Sequence, residues 1–155
     1  MCIAIALARR EVPKEVIDRF RLERRCHAEA DREEFRFRFD DPDPRLPIRR
    51  DGQFLVVRWG NTRNRSRALP RSCWTWRETI ESGYWAKIGA VKVEIPASLA
   101  LEGGVWYPLR RGIWGVLAPD ERGKAVVFVA CEPSTSYYRT MTRSDRMPMF
   151  IGETI

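Results

Sequence analysis

Ile113-Trp114-Gly115-Val116-Leu117, Asp120-Glu121-Arg122-Gly123 and Val126-Val127-Phe128-Val129-Ala130-Cys131 together decide the fold: two apolar runs joined by a short polar segment. The runs are too short for buried helices and rich in strand formers, and the link between them reads as a hairpin loop. The same pattern recurs outward from this hairpin. Residues 91–95 and 105–109 are further short strands, and 54–59 is another that ends at Gly60. Phe35-Arg36-Phe37-Arg38-Phe39 alternates strictly, which gives one apolar and one basic face. Residues 2–8 form a continuous apolar run, expected as a buried strand, and 147–151 a closing strand.

Helical spacing is confined to three places. Val12, Val16, Ile17 and Phe20 predict an amphipathic helix over 11–25, residues 74–82 a short helix capped by Ser72, and 137–142 a helical turn. Asp40-Asp41-Pro42-Asp43-Pro44 breaks the chain as an exposed loop. Residues 61–72 are polar and carry Arg63, Arg65, Arg67 and Arg71 without apolar period, a loop of concentrated positive charge. Many strands with few helices predict one α+β domain over 1–155. Its sheet is a curled antiparallel or mixed β-sheet, or an open barrel, with a few short helices.

The chain has 155 residues, 44% hydrophobic and 32% charged, which fits a folded domain and excludes disorder. The uncharged start, residues 1–8, is too short to span a membrane and has no basic leader, so a cytoplasmic monomer is expected, away from membranes. Four cysteines, Cys2, Cys26, Cys73 and Cys131, form no C-x-x-C pair. The only histidine, His27, adjoins Cys26, and adjacent side chains do not readily share one ion. Neither a metal nor another cofactor is expected. The net charge of +7 and pI near 9.7 come mostly from arginine, which suits phosphate and nucleobase contact. An arginine-biased genome accounts for the charge equally well.

Cys2 is the candidate nucleophile. Removal of Met1 would leave an α-amine and a thiol on one residue, both partly deprotonated near neutral pH. Such a 1,2-aminothiol condenses with an aldehyde through an imine to a thiazolidine. Taken alone, a cysteine at position two is equally a small core residue.

Three further segments give the cysteine a context. Trp59-Gly60 is followed by Asn61-Thr62-Arg63. Ile95-Pro96-Ala97 leads to Glu102, and Ser144 precedes Asp145-Arg146-Met147-Pro148. With Met1-Cys2 at the start, this set resembles the SRAP family (SOS-response-associated peptidase-like proteins), whose segments read W-G, N-x-R, I-P-A-D-G-x-x-E-W and H-x-R-M-P. The resemblance spans essentially the whole chain and is nearest to the compact, phage-related members. It implies binding of single-stranded DNA and covalent capture of abasic sites in the DNA damage response. The family name also implies an autopeptidase, and a degenerate member would bind DNA without crosslinking.

By position, the resemblance makes Cys2 the nucleophile, Asn61 the holder of its amine or of the opened sugar, and Glu102 the general acid–base. Arg63 would contact phosphate, with Arg77 of Trp76-Arg77-Glu78-Thr79 its rival for that place. Arg65, Arg67 and Arg146 extend the DNA-binding set, and Trp74 is a candidate stacking platform. The chain also departs from the family. Ile3-Ala4 stand where Gly-Arg usually follow the cysteine, and Arg65 stands where a glutamate is usual. Ser144 replaces a histidine expected to move protons, and a serine does not titrate near neutrality.

Overall fold

The computed structural model describes residues 3–153. In chain order its strands and helices are β1 (Ala4–Ala8), α1 (Lys14–Arg19), β2 (Cys26–Glu29), β3 (Arg32–Arg38), β4 (Arg45–Arg50), β5 (Gln53–Trp59), β6 (Trp74–Trp76), α2 (Arg77–Glu81) and α3 (Tyr84–Lys87). They continue with β7 (Val91–Pro96), β8 (Leu99–Glu102), β9 (Val105–Pro108), β10 (Gly112–Pro119), β11 (Ala125–Pro133), α4 (Ser136–Thr142) and β12 (Arg146–Pro148).

The hairpin β10–β11 is where the sequence placed it, with Gly115 opposite Val129 and Pro119 opposite Ala125. Asp120 closes its loop, its carboxylate accepting from the Arg122 and Lys124 amides at 2.9 and 2.8 Å. Strands β10, β7, β4, β5 and β11 pair in turn, and β10 pairs back with β11, so the expected open barrel is a closed five-stranded one. Closure removes the sheet edges that an open form would leave. Val127, Val129, Cys131, Ile113 and Leu117 join the main core, while Val126, Phe128, Val116 and Ala118 pack outward with Trp85 and Leu69. Burial on both faces is why β11 reads as an unbroken apolar run.

A second sheet, β2-β3-β1-β8-β9, completes this α+β domain. Phe35 and Phe37 are fully buried in the core, and Arg36 and Arg38 take the opposite face, as the alternation requires. At the corner where β1 begins, Ile3 donates its N–H to the Leu101 carbonyl and accepts from Phe39, both at 2.9 Å.

The helix expected over 11–25 is broken. Only Lys14–Arg19 is α-helical; Arg21 turns left-handed (φ 53°), and Leu22–Arg25 form a 3-10 turn. Continuing the helix would leave the Leu22 side chain off the buried stripe; the left-handed residue swings it into the core, where it is fully buried. The helix expected over 74–82 starts only at Arg77, because Trp74–Trp76 pair in parallel with Val129–Cys131 of β11. β4 was not expected, since Pro47 weakens a strand reading. It pairs fully with β5 yet meets β7 only at Arg49–Glu94, so that flank has few ladder bonds for a proline to lose. Among the described residues no helix is long and apolar enough to cross a membrane.

Candidate functional site

The arrangement around Glu102 is built from three turns. Glu102 ends β8, and the chain reverses at Gly103 (φ +56°), where a Cβ would stand 2.1 Å from the Thr142 carbonyl oxygen. Only glycine lets this turn press so close to the end of α4. Thr135 caps the start of α4 by accepting from the Tyr138 amide at 3.1 Å, and Arg143 in the left-handed region (φ 59°) ends it. The chain then returns along β11 as β12, with Arg146 opposite Pro133.

β6 and β12 flank the C-terminal half of β11, with Trp76 and Pro148 both paired to Cys131. Across that strand the Arg146 guanidinium lies 3.6 Å from the Trp74 ring centroid and 6.0 Å from that of Trp76. The two indoles meet edge to face at 5.0 Å. The Ser144 hydroxyl donates to the Arg146 carbonyl at 2.7 Å and fixes the entry into β12.

Glu102 is only 7% exposed. Burial pushes its carboxyl above the usual range, while the positive charge of Arg146 and the contact with the Ser144 side chain pull the other way. A carboxyl so balanced can hold a proton nearer neutrality and still release it, which is what a general acid–base needs. Glu102, Ser144, Arg146 and Trp74 therefore form one group. Cys73 lies beneath it, with its thiol pushed up to about 12 by burial, a structural rather than reactive cysteine. Cys2 lies outside the described residues.

The other candidates are placed differently. Asn61 is buried, and its amide is committed to the loop it begins: Nδ2 donates to the Ser66 and Leu69 carbonyls, each at 2.9 Å, and Oδ1 accepts from the Ser66 amide at 3.0 Å. Both N–H bonds are thereby used to hold residues 61–69 in shape. Gly60 before it (φ +68°) crosses Cys73 so closely that a Cβ would stand 2.6 Å from its Cα. The W-G turn is thus a backbone crossing, and Trp59 pins it by donating Nε1–H to the Cys73 carbonyl at 3.1 Å.

Arg63 donates to the carbonyls of Pro42 and Asp41, and Arg65 pairs with Asp43 at 3.4 Å, so both reach toward the acidic loop. The Arg67 backbone N–H donates to the Glu121 carboxylate. Arg77, exposed at the start of α2, pairs with Glu132 of β11. His27 is exposed on β2, at the edge of its sheet. The sequence offers Trp76, with Trp74 and Trp85, as a stacking ring; what went unread is the acidic loop that engages Arg63 through its carbonyls and Arg65 through the Asp43 carboxylate. The facing charges of 40–44 and 61–72 were the available signal for it. Among the described residues no cluster of three His, Cys, Asp or Glu side chains is placed to hold a metal ion.

No family model, no curated protein and no solved structure matches this chain.

Proposed function

We propose that this chain is a single-stranded-DNA-binding protein of the SRAP kind that captures abasic sites on an N-terminal Cys2. The observation that carries the reading is the convergence of Glu102, Ser144 and Arg146, from two segments distant in sequence, in a group containing one buried carboxyl that burial pushes above its usual range. Glu102 directly follows Leu101, to which Ile3 is bonded through its N–H, and Ile3 is peptide-linked to Cys2.

The chemistry balances without a cofactor. With Met1 removed, the Cys2 amine attacks the aldehyde carbon of the ring-opened sugar, and water leaves to give an imine. The thiol sulfur then adds to the imine carbon and its proton passes to the nitrogen, closing a thiazolidine with net loss of one water. Glu102 delivers a proton to the sugar ring oxygen as the ring opens and takes one up as the amine adds. Arg146, held flat on Trp74, presents its guanidinium edge to a phosphate beside the lesion. Ser144 orients this corner rather than titrating. Asn61 serves as the strut of the neighbouring loop and takes no part in proton transfer.

The test is incubation of Met1-free protein with an abasic single-stranded oligonucleotide. An SDS-resistant adduct is expected, absent in Cys2→Ala and formed about 10²-fold more slowly in Glu102→Gln. An unchanged rate in Glu102→Gln would remove that residue from the mechanism.

A further inference from the structure

We infer that the cleft between β3, β4 and the turn after α1 is an anion-binding groove that takes the phosphodiester backbone of a nucleic-acid strand. The cleft has a volume of about 590 Å³, and Arg21, Arg24, Arg25, Arg36, Arg38 and Arg45 line it. The sequence forces this crowding. Phe35 and Phe37 must face the core, which sends Arg36 and Arg38 to the other side, and the left-handed Arg21 brings the 3-10 turn with Arg24 and Arg25 against the same cleft.

Four of the six guanidiniums have carboxylates on them. Asp41 lies 2.8 Å from Arg25, Asp43 2.8 Å from Arg45, Asp40 2.9 Å from Arg38, and Glu34 2.8 Å from Arg36. Three of these carboxylates come from the single loop after β3, so the loop lays a row of oxyanions along the arginines. Among the described residues Arg21 and Arg24 are exposed and have no acidic partner. The Arg38–Asp40 and Arg45–Asp43 pairs are exposed and contribute only about 0–1 kcal/mol each, so a strand carrying several phosphates can displace them, while the Arg25–Asp41 and Arg36–Glu34 pairs are partly buried. Two arginines are held ready by aromatic faces, Arg25 over Phe37 and Arg36 over Trp106, both at 5.2 Å. Fixed planar forks match phosphate oxygens better than a free compact cation would.

Arg38 pairs with Ala4, and Ala4 pairs with Leu101, so Arg38 and Glu102 flank the same end of β1. The inference rests on the proposed function only in taking nucleic acid as the partner.

The test uses intact oligo(dT), which has no aldehyde and cannot crosslink, so its outcome is separate from that of the capture reaction. In Arg21→Gln/Arg24→Gln, affinity for oligo(dT) should fall about tenfold at about 0.1 M salt, and the salt slope should drop by about 1.4, two phosphates at about 0.7 each. Asp41→Asn/Asp43→Asn should bind more tightly than the parent, an opposite change that loss of folding cannot imitate. Inorganic tripolyphosphate, carrying the same chemistry without a strand, should bind more weakly than oligo(dT). An unchanged salt slope in the arginine variant, or tighter binding of tripolyphosphate, would overturn the assignment.

Discussion

The guanidinium of Arg146 lies 3.6 Å from the ring centroid of Trp74, across the C-terminal half of β11. This stack fixes the positive charge that opposes the burial-raised carboxyl of Glu102. Arg146→Ala should therefore send the Glu102 carboxyl higher and move the acid–base limb of the capture reaction to higher pH. Arg146→Lys keeps the charge but loses the flat stack, and should shift the limb less. The pH–rate profile of adduct formation in the two variants checks this. The stack itself contributes about 0.5–2 kcal/mol, read as lost stability in Arg146→Ala.

Glu102 also makes stability depend on pH, with a definite sign. Its folded-state carboxyl is raised above the reference value of 4.5 by burial. Below about 4.5 the group is protonated in both folded and unfolded chains and has no effect. Above that, the unfolded chain gives up its proton first, so stability falls as pH rises through the window between the two values. Glu102→Gln should match the parent in acid and be the more stable protein near neutrality. Denaturant unfolding at several pH values measures the difference, and parallel curves for the two proteins would contradict it.

Gly60 and Gly104 are both left-handed, yet they are not equivalent. A Cβ at Gly60 meets Cys73 backbone at 2.6 Å, whereas one at Gly104 (φ +79°) meets nothing within 4 Å. Gly104→Ala should lose about 1 kcal/mol, the cost of the backbone conformation alone. Gly60→Ala adds a clash in a packed core and should lose about 2–5 kcal/mol. Chemical denaturation of the pair separates the two terms.

Asn61→Ala would leave the buried Ser66 amide and the Ser66 and Leu69 carbonyls without the partners they now have. A loss of about 2–4 kcal/mol in stability is expected, with the rate of capture per folded molecule unchanged. Comparing unfolding free energy with single-turnover rate tests both halves. A slowed reaction in a fully folded sample would return Asn61 to the chemistry.

What the sequence made legible was whatever local pattern controls. The alternation of Phe35 to Phe39 sorted core from surface correctly, and the polar segment at Asp120 marked its hairpin. The failures were set by distant partners. Trp74–Trp76 reads as helix until β11 lies beside it, and Leu22 is drawn off the helical stripe by a cavity only the folded core creates. The same holds for the site. Glu102, Ser144 and Arg146 could be named as a set, because residue types and their order are read directly along the chain. That the Asn61 amide holds Ser66 and Leu69, and that Arg63 and Arg65 reach the acidic loop, depends on loop packing that no spacing encodes.

The most direct test of the account is the intact mass of the product formed by Met1-free protein and an abasic single-stranded oligonucleotide. A single species at the sum of the two masses less one water, unchanged by a hydride reductant and absent in Cys2→Ala, is the predicted result. Protein and DNA recovered only as separate masses, from a sample whose N-terminal residue is shown to be Cys2, would contradict the central claim.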